Sequence, residues 1–269
     1  MRRLLIAGQD EVRTALSRLR LAETTMTTFE RRAVLTGLAA FGVTSAAGCA
    51  SAPGGRMSSD ARSTVWTFDN LASVGGNPVR VEGAPTLIDS PYGKAVRFDG
   101  VDDALFIDNH PLAGAQTFTF EALFRPDGGA FEQRWLHLQA DDAAGSEGQP
   151  TGTPGTRFLF EIRVVEQQWY LDAFVKGPGY SQTLIAEDKR FPVGRWHHVA
   201  QTYDGRMYRS YVDGVLQAEA AIAFQPQGPG RASVGCRLNR VNYFNGAVRE
   251  ARFTPRALGP AEFTRLLTR

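Results

Sequence analysis

Between residues 133 and 174 the chain sets ionisable and aromatic side chains at alternate positions of segments whose remaining positions are apolar. Within residues 133–139, Trp135, His137 and Gln139 share one parity and Leu136 and Leu138 the other. Within residues 158–164, Glu161 and Arg163 oppose Phe158, Phe160 and Ile162; in the next segment Tyr170 and Asp172 share a parity, and within residues 233–240 so do Arg237 and Asn239. Side chains of a strand alternate between its two faces. If these segments are neighbouring strands, one sheet face carries Trp135, His137, Glu161, Arg163, Tyr170, Asp172, Arg237 and Asn239. Rings that stack on C–H surfaces, beside carboxylate, guanidinium and amide groups that pair with hydroxyls, suit a sugar. The plainer reading of the same pattern is a solvated face on which Glu161 and Arg163 pair across strands.

Other combinations carry less. A glycan-cleaving enzyme needs two carboxyl groups about 5–9 Å apart across the scissile bond, and Glu161 with Asp172 is the pair best placed to try. Asp99, Asp102 and Asp103 cluster near a turn, and calcium is the one cofactor they suggest, against the alternative of solvated turn aspartates. His197 and His198 are adjacent, so on a strand they point to opposite faces and do not form a metal pair. The two cysteines, Cys49 and Cys236, lie in unlike surroundings and form no metal-binding spacing. Cys236 alternates with Val234 and Leu238, which predicts a buried small apolar residue.

The elements that must hold these groups read as short strands. Turn dipeptides recur at Asp99-Gly100, Asp127-Gly128, Asp204-Gly205, Asp213-Gly214 and Asn245-Gly246. Phe118, Phe120, Ala122 and Phe124 fall on one face of a strand, and residues 197–203, 206–212 and 215–222 predict a meander. Only the end, from Gly259-Pro260 onward, has helical spacing, with Pro260 in the first turn. Residues 143–155, rich in Gly, Pro and Thr, predict a long loop beside the polar face.

Several of these segments carry a family resemblance. Val65-Trp66-Thr67-Phe68-Asp69 opens the domain; Gly93-Lys94 through Phe98-Asp99-Gly100, Phe118-Thr119-Phe120-Glu121, Gly194-Arg195-Trp196-His197-His198, Tyr211-Val212-Asp213-Gly214 and Phe244-Asn245-Gly246 follow in order. Together they resemble laminin-G-like jelly-roll domains of the concanavalin A-like lectin/glucanase kind, over residues 64–266. The resemblance implies an all-β jelly-roll sandwich of two antiparallel sheets, one of them concave, to which the spacing after Gly259-Pro260 adds a short C-terminal helix. It implies a carbohydrate-binding module, or a protein-interaction or structural module of the cell envelope, or a glycoside hydrolase, some relatives holding calcium at the rim. It places His198 in the interior near Trp196. Residues 161–166 are similar to the Glu-x-Asp-x-x-Glu signature of laminarinase-like hydrolases, but Arg163 stands where the central Asp belongs, which argues against catalysis.

Residues 1–48 read as an address. Arg31-Arg32 followed by an uncharged, mildly apolar run resembles a twin-arginine signal with Met26 as the expected start, and Ala46-Ala47-Gly48-Cys49 resembles a lipobox with Cys49 as the lipidated residue. Residues 49–62 form a tether rich in small residues and residues 63–269 the domain, so the expectation is an exported, lipid-anchored protein of the periplasm or cell surface. The formal charge of the 269 residues is +2, but residues 1–48 hold seven arginines against four acidic residues, which leaves the remainder at −1. A near-neutral domain has no electrostatic footprint for nucleic acid.

Overall fold

Turn chemistry sets the strand boundaries. The structure, a computed structural model, describes residues 62–141 and 155–264; Cys49, the leader before it and the loop at 142–154 lie outside the described residues. The strands run β1 (Thr64–Thr67), β2 (Ser73–Val74), β3 (Asn77–Glu82), β4 (Thr86–Ser90), β5 (Gly93–Asp99), β6 (Ala104–Ile107), β7 (Phe118–Pro126), β8 (Glu132–Ala140) and β9 (Arg157–Val165). They continue as β10 (Gln168–Gly177), β11 (Tyr180–Ile185), β12 (Phe191–Pro192), β13 (His197–Tyr203), β14 (Met207–Val212), β15 (Val215–Ala221), β16 (Gly230–Val234) and β17 (Asn245–Thr254). One 3-10 turn, Pro260–Glu262, is the only helix among the described residues.

At the β14–β15 turn, Asp213 and Gly214 have φ of 49° and 78°, the left-handed pair that lets a two-residue hairpin follow the strand twist. Asp204 closes the β13–β14 turn by accepting from the N–H groups of Arg206 and Met207 at 2.9 and 2.8 Å. Asn245-Gly246 departs from expectation. It begins β17, and what Gly246 supplies is space, since a Cβ there would stand 2.3 Å from the Arg125 carbonyl oxygen.

Two antiparallel sheets result. The first runs β15-β14-β13-β7-β17-β5-β4 with β1 beside β17, and the second β11-β10-β9-β8-β16-β6-β3-β2 with β12 beside β10. Their inner faces meet through aromatic rings, as in a sandwich. Phe118, Phe120 and Phe124 of β7 approach Phe158 and Phe160 of β9 and Trp135 of β8 at centroid distances of 5.1, 4.0 and 4.9 Å. All six are fully buried.

Trp135 therefore corrects the parity reading, because it lies in the core and not on the polar face. The β8–β9 register shifts between Arg134 and Leu136, so Trp135 is the extra residue of a β-bulge, and it enters the core together with Leu136. Alternation is reset by one position, and Arg134 comes out on the opposite face beside Glu161.

The outer face of the first sheet is closed by the chain itself. After β17, Leu258 and Phe263 pack on Ala200 and Tyr211, the Leu258 N–H donates to Thr119 Oγ1 at 2.7 Å, and the Thr264 N–H to Glu121 Oε1 at 2.6 Å. His198 is buried under this cover, 3.2 Å from Glu121 and against the Phe263 ring, whereas Trp196 meets Tyr92 and Arg125. The outer face of the second sheet carries the polar groups.

The placement of Trp135 has a measurable consequence. Trp135→Ala should cost about 3–5 kcal/mol in urea unfolding, as removal of a core indole does. Gln139→Ala, on the outer face of the same strand, should change stability by less than about 0.5 kcal/mol.

Candidate functional site

Register sets the outer face of β8, β9 and β10 in rows. In one row Glu132, Arg163 and Tyr170 stand opposite one another, and in the next Arg134, Glu161 and Asp172. The second row sets two carboxyl groups side by side, an arrangement that destabilises unless cations answer it. Arg134 contacts both Glu161 and Glu132. Arg163 reaches Asp172 at 2.6 Å, Glu132 at 3.0 Å and Glu161 at 3.8 Å. Two guanidinium groups thus link three carboxylates, and only the Glu132 side chain, 38% exposed, opens appreciably to solvent.

The protons respond to this packing. Burial, and then the charge of Asp172, push the Glu161 carboxyl up to about 7 against the pull of Arg134 and Arg163. Burial raises Asp172 as well, opposed first by Arg163. Burial acts on Glu132 in the same sense, but Arg134 and Arg163 outweigh it and hold that carboxyl below its ordinary range. Glu161 and Asp172 are buried and each is engaged by a guanidinium, so neither stands free to attack a glycosidic carbon or protonate a leaving group. Glu166, the last acid of the hydrolase-like stretch, is exposed at positive φ in the β9–β10 turn.

His137 also lies on this face, 1% exposed. The Leu238 N–H donates to its Nδ1 at 3.0 Å, which leaves the proton on Nε2, and that N–H has no partner among the described residues. Burial first, then the cations Arg237, Arg157 and Arg134, hold the imidazole well below its ordinary pKa, so it is neutral. Arg237 and Asn239 arrive by a route that strand parity does not describe. β16 ends at Val234, and residues 237–241 form a turn folded over the face, with Arg240 N–H on the Arg237 carbonyl at 2.7 Å.

Among the residues of the face that the sequence reading did not include are Phe131, Glu132, Arg134, Arg157 and Lys176. The adjacent apolar pair Trp135-Leu136 was the available signal for Arg134, because two residues in a row can both enter the same core face only through a bulge. Phe131 gave none. It is an exposed ring, 57% accessible, at the edge of the face, with the Arg163 guanidinium 5.8 Å from its centroid.

Elsewhere, Asp99, Asp102 and Asp103 do converge, with carboxylate oxygens within 4.8 Å of one another. Asp99 Oδ1 accepts from the N–H groups of Val101, Asp102 and Asp103, and Asp103 from those of Ala84 and Asp99, so these carboxylates organise the loop that they occupy. Cys236 is buried against Ala104, Phe106 and Leu238, outside the main core, and burial pushes its thiol up to about 12.

The family profile described as the concanavalin A-like lectin/glucanases superfamily matches residues 99–263. The chain belongs to that superfamily. No curated protein matches its sequence. Among solved structures it is similar to domain 4 of AbnA, an extracellular arabinanase from Geobacillus stearothermophilus solved in complex with arabinotriose, at 18% identity and a TM-score of 0.54 over 76% of this chain and 96% of that one. It is also similar to the binding domain of Paraclostridial Mosquitocidal Protein 1, at 12% identity and a TM-score of 0.52 over 74% of this chain and 50% of that one. The receptor binding domain of botulinum neurotoxin C/D mosaic serotype matches at 9% identity and a TM-score of 0.51, over 74% and 49% of the two chains. At these identities the likeness is one of fold, and the superfamily's sandwich is the scaffold on which this chain's charged rows are set.

The raised Glu161 carboxyl ties stability to pH. The folded chain binds this proton more tightly than the unfolded chain, whose carboxyl titrates near 4.5. Its contribution is therefore fully present below about 4.5 and is lost as pH rises toward about 7. Glu161→Gln lacks the titration, so in denaturant melts the variant should gain on wild type over that interval, by on the order of 1–3 kcal/mol. A difference constant with pH would contradict the assignment.

Proposed function

We propose that the chain is a carbohydrate-binding module, exported and held at a membrane through a lipid on Cys49, that takes a glycan on the outer face of β8, β9 and β10. The observation that carries the reading is the construction of that face. Interlocked guanidinium and carboxylate groups are fixed in register, buried N–H groups are left without partners, and an exposed ring, Phe131, stands over Arg163 at the open edge. Fixed polar groups beside an aromatic platform bind sugars with little ordering cost, because the side chains are already immobilised. Membership of the superfamily supports this class of ligand, and domain 4 of AbnA, solved with arabinotriose, is a precedent on the same fold. The anchor rests on Arg31-Arg32 and on Ala46-Ala47-Gly48-Cys49.

The test is affinity electrophoresis of the full chain in non-ionic detergent, through gels holding a panel of polysaccharides. Retardation by at least one polymer is expected, weakened by about tenfold in Phe131→Ala, the effect of losing one stacking contact worth about 1–1.5 kcal/mol. Retardation should persist in EDTA, because none of the residues of the proposed face belongs to the Asp99, Asp102 and Asp103 cluster. Migration unchanged by every polymer would discard the glycan reading in favour of a protein-interaction module of the envelope.

A further inference from the structure

Beyond the interlocked rows the same face changes character. The next row is Ser233, His137, Leu159 and Phe174, and the one after it Arg231, Gln139, Arg157 and Lys176, again by direct register. Arg231 is paired with Asp141 at 2.8 Å. Arg157 and Lys176 stand opposite one another across β9 and β10, two like charges where a sheet ordinarily sets opposite ones.

Arg157 is nearly buried. It gives one N–H to the Gly155 carbonyl at 3.1 Å and lies over the Phe174 ring at 5.1 Å, and its Nε–H is unpartnered. Arg237 is brought to the same place by the Leu238-to-His137 hydrogen bond, which pins the 237–241 turn onto β8. Among the described residues no carboxylate pairs with Arg157, Lys176 or Arg237. Glu161, whose charge both Arg157 and Arg237 feel, is already held by Arg134 and Arg163. The strain on the cations is evident at Arg157, where burial, and then the charge of Arg237, push the guanidinium down to about 10.

Partly buried cations without counter-charge are costly, and a water molecule supplies hydrogen bonds but no charge. We propose that Arg157, Lys176 and Arg237, with the free Nε2–H of His137, seat an anionic substituent, a carboxylate or a sulfate, of a glycan lying across β8, β9 and β10. The inference rests on the glycan reading of this face and narrows it to acidic polysaccharides. Such a ligand meets Phe131 and Arg163 at one end of the face and places its anion at the other.

Matched polymers test it: polygalacturonate against its fully methyl-esterified form, and a sulfated galactan against the desulfated polymer, each titrated into the full chain. One acidic form should bind at least about tenfold more tightly than its neutral counterpart, and which one does so distinguishes carboxylate from sulfate. The preference should shrink as salt is raised from about 20 to about 300 mM. Lys176→Gln and Arg237→Gln should each remove most of the preference, whereas Phe131→Ala weakens acidic and neutral forms alike. Without ligand, Lys176→Gln should change the melting temperature little, as a surface substitution does; a marked loss would identify Lys176 as a structural lysine and remove it from the site. Equal binding of acidic and neutral polymers, or a preference that survives in a folded Lys176→Gln/Arg237→Gln double variant, would overturn the anion site and leave the glycan reading standing. Failure of every polymer to bind would overturn both.

Discussion

Glu161 and Asp172 stand directly opposite each other across β9 and β10, and the arrangement around them follows from that opposition. Two like charges set side by side and taken out of water cannot persist uncompensated. Arg134 answers from one neighbouring strand, Arg163 from the next position of β9, and Glu132 closes the chain of contacts toward solvent. The groups hold one another in place, and release of Arg163 would leave the buried Asp172 without a cation. What would have been a set of flexible side chains is thereby a fixed surface.

That surface depends in turn on one irregularity. With strict alternation along β8, Trp135 would be on the outside and Arg134 would be driven into the aromatic core beside Phe120 and Phe124. The bulge reconciles the two demands, giving the core its indole and the carboxyl pair its guanidinium. A local departure from regular pairing couples the packing of the sandwich to the electrostatics of its outer face, so a substitution on one side is felt on the other.

Much of this is legible in the sequence. The Asp-Gly hairpins, the inward row of phenylalanines in β7 and the outward parity of Glu161, Arg163, Tyr170 and Asp172 follow from the two-residue period of a strand and from turn stereochemistry, both of which are local. The placements that could not be read depend on non-local events. Trp135 is displaced by a register shift against β9, Arg237 is carried in by a turn held by His137, and Arg157 meets Lys176 only because β9 and β10 pair in this register. The helix expected after Pro260 shrinks to a single 3-10 turn in the described chain, because Phe263 is drawn down onto Tyr211 and His198. Tertiary packing there overrides a helical spacing too short to nucleate by itself.

The cover laid by residues 255–264 over the first sheet makes the sandwich asymmetric. With Thr119, Glu121 and His198 sealed beneath Leu258 and Phe263, one broad sheet face is spent on closing the molecule, whereas the other reaches solvent at its edge through Phe131 and Glu132. A body that takes a glycan on that face alone, as proposed, would be monovalent. Firm hold on a long, repetitive chain would then come from many copies side by side in one plane, each offering its single face to the same strand, so that surface density sets the strength of capture.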